Sequence, residues 1–373
     1  MDSINLDNIN KKKPARRSKK HAIIPVFIPH MGCPNDCIFC NQRKITARTE
    51  AVTPDHVRNI IDTWLTTLEN VPEVEVAFYG GSFTGIPLEQ QRAYLAVAKE
   101  YKDAGRIEGI HLSTRPDYIT PEILDNLRDY TVDTVELGVQ SFDDEVLRRS
   151  RRGHTAAQVY EAVELIQSYG FRLGIQLMVG LPGDTLAKSI FSAEETVRLK
   201  PQLARLYPTI VLDETDLLEE YKRGNYIPLS RDEAVERTKA MYRILDDAGI
   251  TILRVGLKSS DLIGDGGAIN GGTYHPAFRQ LVESSIARDR IEEKLQKCLR
   301  GDFPGSLGGK EDAFTGIRSK VDVFSNGKWY SNMVGNGSEN KTYFATHYPG
   351  IQFRFRRDDS LADGRFRVSM KEE

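Results

Sequence analysis

HMGCPNDCIFCNQRK, residues 30–44, places Cys33, Cys37 and Cys40 in a C-x3-C-x2-C pattern. It directly follows Ile23–Ile28, an apolar run that reads as a first β-strand. The chain has only 4 cysteines in 373 residues, so a disulfide scaffold is excluded and the clustering of three of them calls for a reason. Flanking Gly32, Pro34, Asn35 and Asp36 mark a loop, not a core segment. Three thiolates converging on one side of a tight loop suit a soft metal or an iron–sulfur cluster. Three ligands on a four-iron cluster leave one iron open to a cofactor or substrate. Two other readings of the same residues stay open: a Cys3His zinc site with His30, or a Cys37–Cys40 dithiol that leaves Cys33 without a task. Cys298, beside Leu299 in a helical stretch, reads as a small buried hydrophobe.

Outward from this loop, short apolar runs alternate with amphipathic helical stretches. The predicted strands are Ile23–Ile28, Val74–Tyr79, Gly109–Ser113, Thr134–Leu137, Arg172–Met178 and Leu203–Pro208. Thr53-Pro54 and Thr120-Pro121-Glu122 place an N-cap hydroxyl before a proline at the first helical position. Thr155 opens a helix that ends at Gly170, and a second of that design ends at Gly249. Strand and helix at this repeat predict parallel βα units, six of them within residues 22–250, in an α/β fold. Periodicity leaves an open doubly wound sheet and a full or partial barrel as alternatives. Residues 251–275 read as a glycine-rich loop and 277–298 as one helix. Residues 300–373 read as a small α/β or β appendage, with strand-like KVDVFS and GIQFRFR.

Hydrophobic residues at 40% and charged residues at 28% exclude global disorder, and the net charge of −2 excludes a generally basic coat protein. Within 11–20, KKKPARRSKK, seven of ten residues are basic, so residues 1–20 read as a disordered arm of opposite sign to the rest. Such an arm is a solvated tail or an attractor of phosphate, RNA included. No run of about 18 apolar residues predicts a membrane span, and no secretory leader pattern opens the chain.

The cysteine loop, with Phe39 just before its last cysteine and βα units behind it, resembles the radical S-adenosylmethionine (SAM) superfamily. The wording is closest to the elongator catalytic-subunit group, in FYGGSFT (78–84), STRPDYI (113–119), LGVQSFDDEVLRRSRRGHT (137–155), GLPGDT (180–185) and YPTIV (207–211). Oxygen-independent coproporphyrinogen III oxidase is a more distant relative. The resemblance implies a partial (β/α)6-type TIM barrel over 21–255, then a glycine-rich loop and helix over 256–299 and a small C-terminal region over 300–373. It implies a 4Fe–4S cluster on Cys33, Cys37 and Cys40, SAM as cofactor, an external electron donor, and a reducing cytoplasm. It assigns to SAM Phe39, Gly80 and Gly81, Ser113 and Gln140, Arg152, Gln176 and Met178. Gly80 and Gly81 would meet the amino group, Ser113 and Gln140 the ribose, Arg152 the carboxylate, and Met178 the adenine.

Two departures accompany it. Ser82 stands where many members carry an acid after the two glycines, and Gln176 stands where the porphyrinogen oxidases carry an aspartate. Arg115, Tyr207 and RVGLKSSD (254–261) are candidates for substrate contact, and His154 reads as a satisfied turn histidine. The resemblance implies RNA, tRNA first, as substrate. A small molecule such as a tetrapyrrole, or a non-catalytic Cys3His zinc protein binding RNA, are the alternatives. The elongator group carries an acetyltransferase domain after its barrel. Here about 100 residues follow the barrel and no glycine-rich loop opens a helix among them.

Overall fold

The computed structural model describes residues 20–28, 37–41, 52–257, 269–300 and 319–371. Cys33 and nearly all of the basic arm lie outside them. The chain runs β1 (His21–Ile28), α1 (Pro54–Leu65), β2 (Glu73–Gly80), α2 (Leu88–Asp103), β3 (Gly109–Thr114), α3 (Pro121–Asp129) and β4 (Thr134–Gln140). It continues with α4 (Asp144–Arg149), α5 (Ala156–Ser168), β5 (Arg172–Val179), α6 (Leu186–Leu199), β6 (Leu203–Pro208), β7 (Ile210–Leu212) and α7 (Asp216–Lys222). Then come α8 (Arg231–Asp247), β8 (Thr251–Val255), β9 (Ile269–Gly272) and the long α9 (Phe278–Arg300). The last elements are β10 (Ser319–Ser325), α10 (Tyr330–Val334), α11 (Glu339–His347), β11 (Ile351–Arg357) and β12 (Arg367–Lys371).

The main sheet has seven parallel strands in the order β1-β2-β3-β4-β5-β6-β8, curled into a half-barrel of the radical SAM kind. All six predicted strands are present. The helices start where the hydroxyls cap them: Thr53, Thr120 and Thr155 each accept a backbone N–H of the first turn. Residues 251–275 are not simply a loop. TILRV pairs with β6 as a seventh strand, and Ile269–Gly272 pairs antiparallel with β7. Five residues with an arginine among them, followed by Gly256, carry too little apolar periodicity to separate from a loop.

Strand parity explains how the sheet is held. Val76 and Phe78 of β2, Ile110 and Leu112 of β3, Val135 and Leu137 of β4 and Ile175 and Leu177 of β5 are buried among the helices. Each fully buried large side chain contributes roughly 1.5–3 kcal/mol. A parallel sheet covered on both faces would be apolar on the alternate positions too. Here the alternate positions carry Tyr79, His111, Ser113, Glu136, Gln176, Arg205 and Tyr207, brought side by side by the registers. The concave face is therefore polar, and among the described residues helices cover the convex one. At its amino-terminal end Glu75 is clasped by Arg172 at 3.1 Å and His21 at 3.4 Å.

Helix α9 serves two cores. Phe278, Leu281, Val282 and Ile286 belong to the half-barrel core, whereas Ala287, Ile291 and Leu295 pack into a second one. That second core covers one face of a three-stranded sheet, β11-β10-β12, in which β10 is parallel to β11 and antiparallel to β12. The tail is thus α/β. Among the described residues, no helix is long and apolar enough to cross a membrane.

Candidate functional site

The carboxyl ends of parallel strands are the usual ligand face, because the βα turns converge there. Gly80 ends β2 with φ +118°, and a Cβ on it would lie 2.1 Å from the Ile28 carbonyl oxygen at the end of β1. Only glycine lets the two strand ends meet so closely. The Gly81 N–H donates to the same oxygen at 3.3 Å. Ser82, in place of an acid, is satisfied within the turn: its hydroxyl lies 2.8 Å from that of Thr114 and accepts the Arg115 N–H at 3.2 Å.

Four arginines follow β4, and the fold separates them. Arg148, Arg149 and Arg151 are exposed, and Arg151 pairs with Asp216. Arg152 is buried. Its Nη1 donates to the Cys37 sulfur at 3.2 Å and its Nη2 to the Gly138 carbonyl at 2.5 Å, while Nε meets no hydrogen-bond partner among the described residues. Gly138 makes room, since a Cβ there would press on the Gln140 amide at 3.2 Å. Arg115 does not reach outward as a substrate contact. It is 3% exposed, bidentate to Asp117 at 2.9 Å, and bonded to the Arg152 carbonyl. It is a clamp on the Arg152 loop.

Cys37 and Cys40 share one tight turn, closed by the Cys40 N–H on the Cys37 carbonyl at 2.9 Å. The turn is fastened to the half-barrel. Ile38 donates its N–H to the Ser150 carbonyl and accepts that of Leu217, and its side chain is buried against Val211, Leu217 and Tyr226. Phe39 packs on the same cluster. Asn41 donates to the Asp213 carbonyl at 2.8 Å. Two thiols on one turn, beside a buried guanidinium with an orphaned N–H, fit a thiolate-held cluster and an anionic group of a bound cofactor.

A shift of register between Gly138 and Gln140 bulges β4, and Gln140 adopts φ +70°. This aims its amide at Gln176 on β5. The two amides exchange bonds, at 3.1 Å and 2.6 Å, and satisfy each other. Ser113 turns to Glu136, to which its hydroxyl donates at 2.8 Å. Met178 lies half-buried beside Tyr207 on the concave face. His154 is buried with Nε2 3.3 Å from the Val139 carbonyl. Burial, with Arg152 and Arg115 adding, pushes its ring down to about 3, so it stays neutral.

The centre of the concave face was not identified from sequence. Glu136, 3% exposed, accepts Arg205 Nε at 2.6 Å, and His111 Nε2 stands 3.5 Å away. Arg205 also donates to the Tyr79 hydroxyl and to that of Tyr207 at 3.4 Å. Burial alone would raise the Glu136 carboxyl, but Arg205 overrides it, with His111 and Ser113, and holds it at about 2. Burial likewise drives the Tyr79 phenol up. A signal existed: TVELGVQ and LARLYP each carry one charge within an apolar strand, flanked on both sides by aliphatic residues.

The radical SAM superfamily domain matches residues 27–190, and the Radical_SAM C-terminal domain matches 201–288. The chain is 27% identical over 308 residues to the tRNA uridine(34) acetyltransferase of Methanocaldococcus infernus, covering 68% of this chain and 57% of that one. It is 26% identical over 309 residues to elongator complex protein 3 of Homo sapiens, covering 68% and 56%. It therefore spans a little over half the length of these relatives. The solved structure of Methanocaldococcus infernus Elp3 with an N-terminal deletion superposes with a TM-score of 0.58 at 20% identity, covering 73% of this chain and 63% of that one. A polar half-barrel beneath a cysteine turn, and a sequence matched by both domains, place this chain in the radical SAM superfamily of enzymes.

Proposed function

We propose that the chain holds a 4Fe–4S cluster and SAM at the mouth of its half-barrel and uses them to modify RNA, with tRNA as the substrate class. When bound, that pair supplies a 5′-deoxyadenosyl radical that abstracts a hydrogen atom from substrate. Cys33, Cys37 and Cys40 would hold the cluster. Arg152 carries the reading: a buried guanidinium that touches the Cys37 sulfur and keeps an orphaned Nε suits a carboxylate next to that cluster. The backbone at Gly80 and Gly81 would admit an amino group closely. Gln140 and Gln176 would offer amides to a ribose by giving up their mutual pair. Met178 would pack on an adenine.

Below the mouth, Arg205 bonds to both Glu136 and Tyr79, so these three side chains form a fixed, hydrogen-bonded floor to the half-barrel. The Glu75–Arg172–His21 clasp closes the far end. RNA is supported by the relatives named for tRNA and by the basic arm. Acetyl transfer is not part of the reading, because the alignment leaves over two-fifths of the archaeal relative unmatched.

The test is anaerobic reconstitution with iron and sulfide, reduction, and assay of 5′-deoxyadenosine from SAM, with and without bulk tRNA. A brown protein with about four irons that forms this product supports the reading. A colourless protein holding one zinc, or a loaded one that forms none even with tRNA, refutes it. Gel shift with tRNA, with and without residues 1–20, tests the substrate class.

A further inference from the structure

The C-terminal sheet has two faces of opposite character. Val321, Val323, Phe353 and Phe355 face α9, α10 and α11 in the second core. The registers put Arg354 and Arg356 of β11, Asp322 and Phe324 of β10 and Arg367 of β12 on the other face. Among the described residues, the apolar cluster of this unit lies wholly on the first face.

Asp322 is the odd residue there. Aspartate is disfavoured inside a strand, and this one sits mid-way along the central strand at 2% exposure. Its carboxylate accepts Arg354 Nη2 at 2.9 Å and Arg356 Nε at 2.9 Å. The two arginines keep 33% and 51% of their side chains exposed. One covered acid thus pins two half-exposed guanidiniums and leaves a cation in excess. Guarding a sheet edge against aggregation needs only solvated charge, not an internal acid that orients it.

Arg354 and Arg356 are two residues apart on one strand face, about 6.7 Å, which matches the separation of successive phosphates along an extended strand. On the far strand, the Arg367 guanidinium lies 4.0 Å from the centroid of the Phe324 ring and is half-exposed. A guanidinium stacked on an aromatic ring is a platform on which an unpaired base can stack. Residues 319–371 hold nine Lys and Arg against five Asp and Glu, in a chain whose net charge is −2.

We propose that this face is a docking surface for single-stranded RNA, with Arg354 and Arg356 taking backbone phosphates and the Arg367–Phe324 stack taking a base. The proposal rests on RNA being the substrate class. It adds a second contact, remote in sequence from both the basic arm and the cysteine loop.

The test is fluorescence anisotropy of the full chain with a labelled single-stranded oligoribonucleotide over a series of salt concentrations. Arg356→Gln leaves Arg354 on Asp322. It is expected to weaken binding and to flatten the slope of log K against log salt by about 0.7, one phosphate of a single strand. Phe324→Leu lies outside both apolar cores. It is expected to raise Kd at least fivefold with the slope unchanged, which charge attraction alone would not do. Thermal melts and RNA-independent 5′-deoxyadenosine formation, both at wild-type values, show that the variants are folded. Wild-type Kd and slope in both variants overturn the surface and leave the RNA reading standing. A change in Arg356→Gln with none in Phe324→Leu overturns it too, since no base is then stacked. Absence of any RNA binding by the wild type overturns both the surface and the RNA reading, while 5′-deoxyadenosine formation decides the radical chemistry separately.

Discussion

Replacing Glu136 by glutamine keeps the shape of the concave face and removes its one central anion. Glutamine would turn a neutral amide toward Arg205, which is 8% exposed and among the described residues has Glu136 as its one carboxylate partner. Stranding one partner of a buried pair costs about 3–5 kcal/mol. An independent estimate comes from linkage. A carboxyl brought from 4.5 to about 2 ties about 3 kcal/mol of folding free energy to its ionisation. The folded value lies below the unfolded one, so this stabilisation is complete above about pH 5 and is lost as pH falls, with roughly 2 kcal/mol gone by pH 3. Urea unfolding of wild type and Glu136→Gln at pH 7 should therefore differ by about 3 kcal/mol, and the gap should narrow toward pH 3. In a thermal scan at pH 7 the same loss is about 6–12 °C for a domain of this size. A gap under about 1 kcal/mol at pH 7, or one that does not change with acid, would refute the claim that this ion pair anchors the sheet interior.

Three further outcomes follow from the site. Gly80→Ala drives a Cβ to 2.1 Å from the Ile28 oxygen at φ +118°, so β1 and β2 must part at their carboxyl ends; a fall in melting temperature together with loss of SAM binding by calorimetry is expected. Arg152→Met keeps bulk but removes the cation beside Cys37. It should raise the KM for SAM tenfold or more at unchanged iron content, and loss of iron instead would make Arg152 a brace of the cysteine turn alone. His154, held at about 3, must stay neutral in the native state while it protonates in the unfolded chain below pH 6.5. Its ring resonances should not titrate above pH 5, and wild type should lose about 2 kcal/mol between pH 7.5 and pH 5 that His154→Asn does not.

Local chemistry was readable in the sequence because it acts locally. Thr53, Thr120 and Thr155 cap the helices expected of them, and six apolar runs became the six strands expected, because both depend on neighbours within a few residues. Arg152 was separable from its three neighbours only through the family wording, and the fold gives the physical ground: it alone is buried. What escaped was pairing across the chain. Glu136 and Arg205 are 69 residues apart, and Gln140 and Gln176 are 36 apart. The bond from Ser113 to Glu136 is likewise one that no local pattern places. Strand β8 escaped because its five residues depend on β6 for their identity as a strand.

The two ends of the sheet are built on different principles, and that difference carries the functional reading. At the amino-terminal end, charges close upon one another: Glu75 with Arg172 and His21, Asp133 with Lys102 at 2.7 Å. At the carboxyl-terminal end the chain accepts unusual backbone conformations and an unsatisfied donor. Gly80 takes a φ closed to other residues, Gln140 takes φ +70° without being glycine, and Arg152 is buried with Nε unsatisfied. The positive φ of Gln140 and the unpaired Nε of Arg152 each cost of order 1–3 kcal/mol. A stability argument alone would remove the last two, by straightening the bulge at Gln140 and replacing Arg152 with a hydrophobe. Their concentration on one rim, next to the only described turn that carries two cysteines, is the pattern of a surface shaped for a ligand that supplies the missing partners. The same logic predicts that SAM binding stabilises the chain more than its contact area warrants, since it would satisfy Arg152 as well as bury apolar surface. A melting temperature that rises with SAM in wild type, but by much less in Arg152→Met, would carry that argument; an equal rise in both would end it.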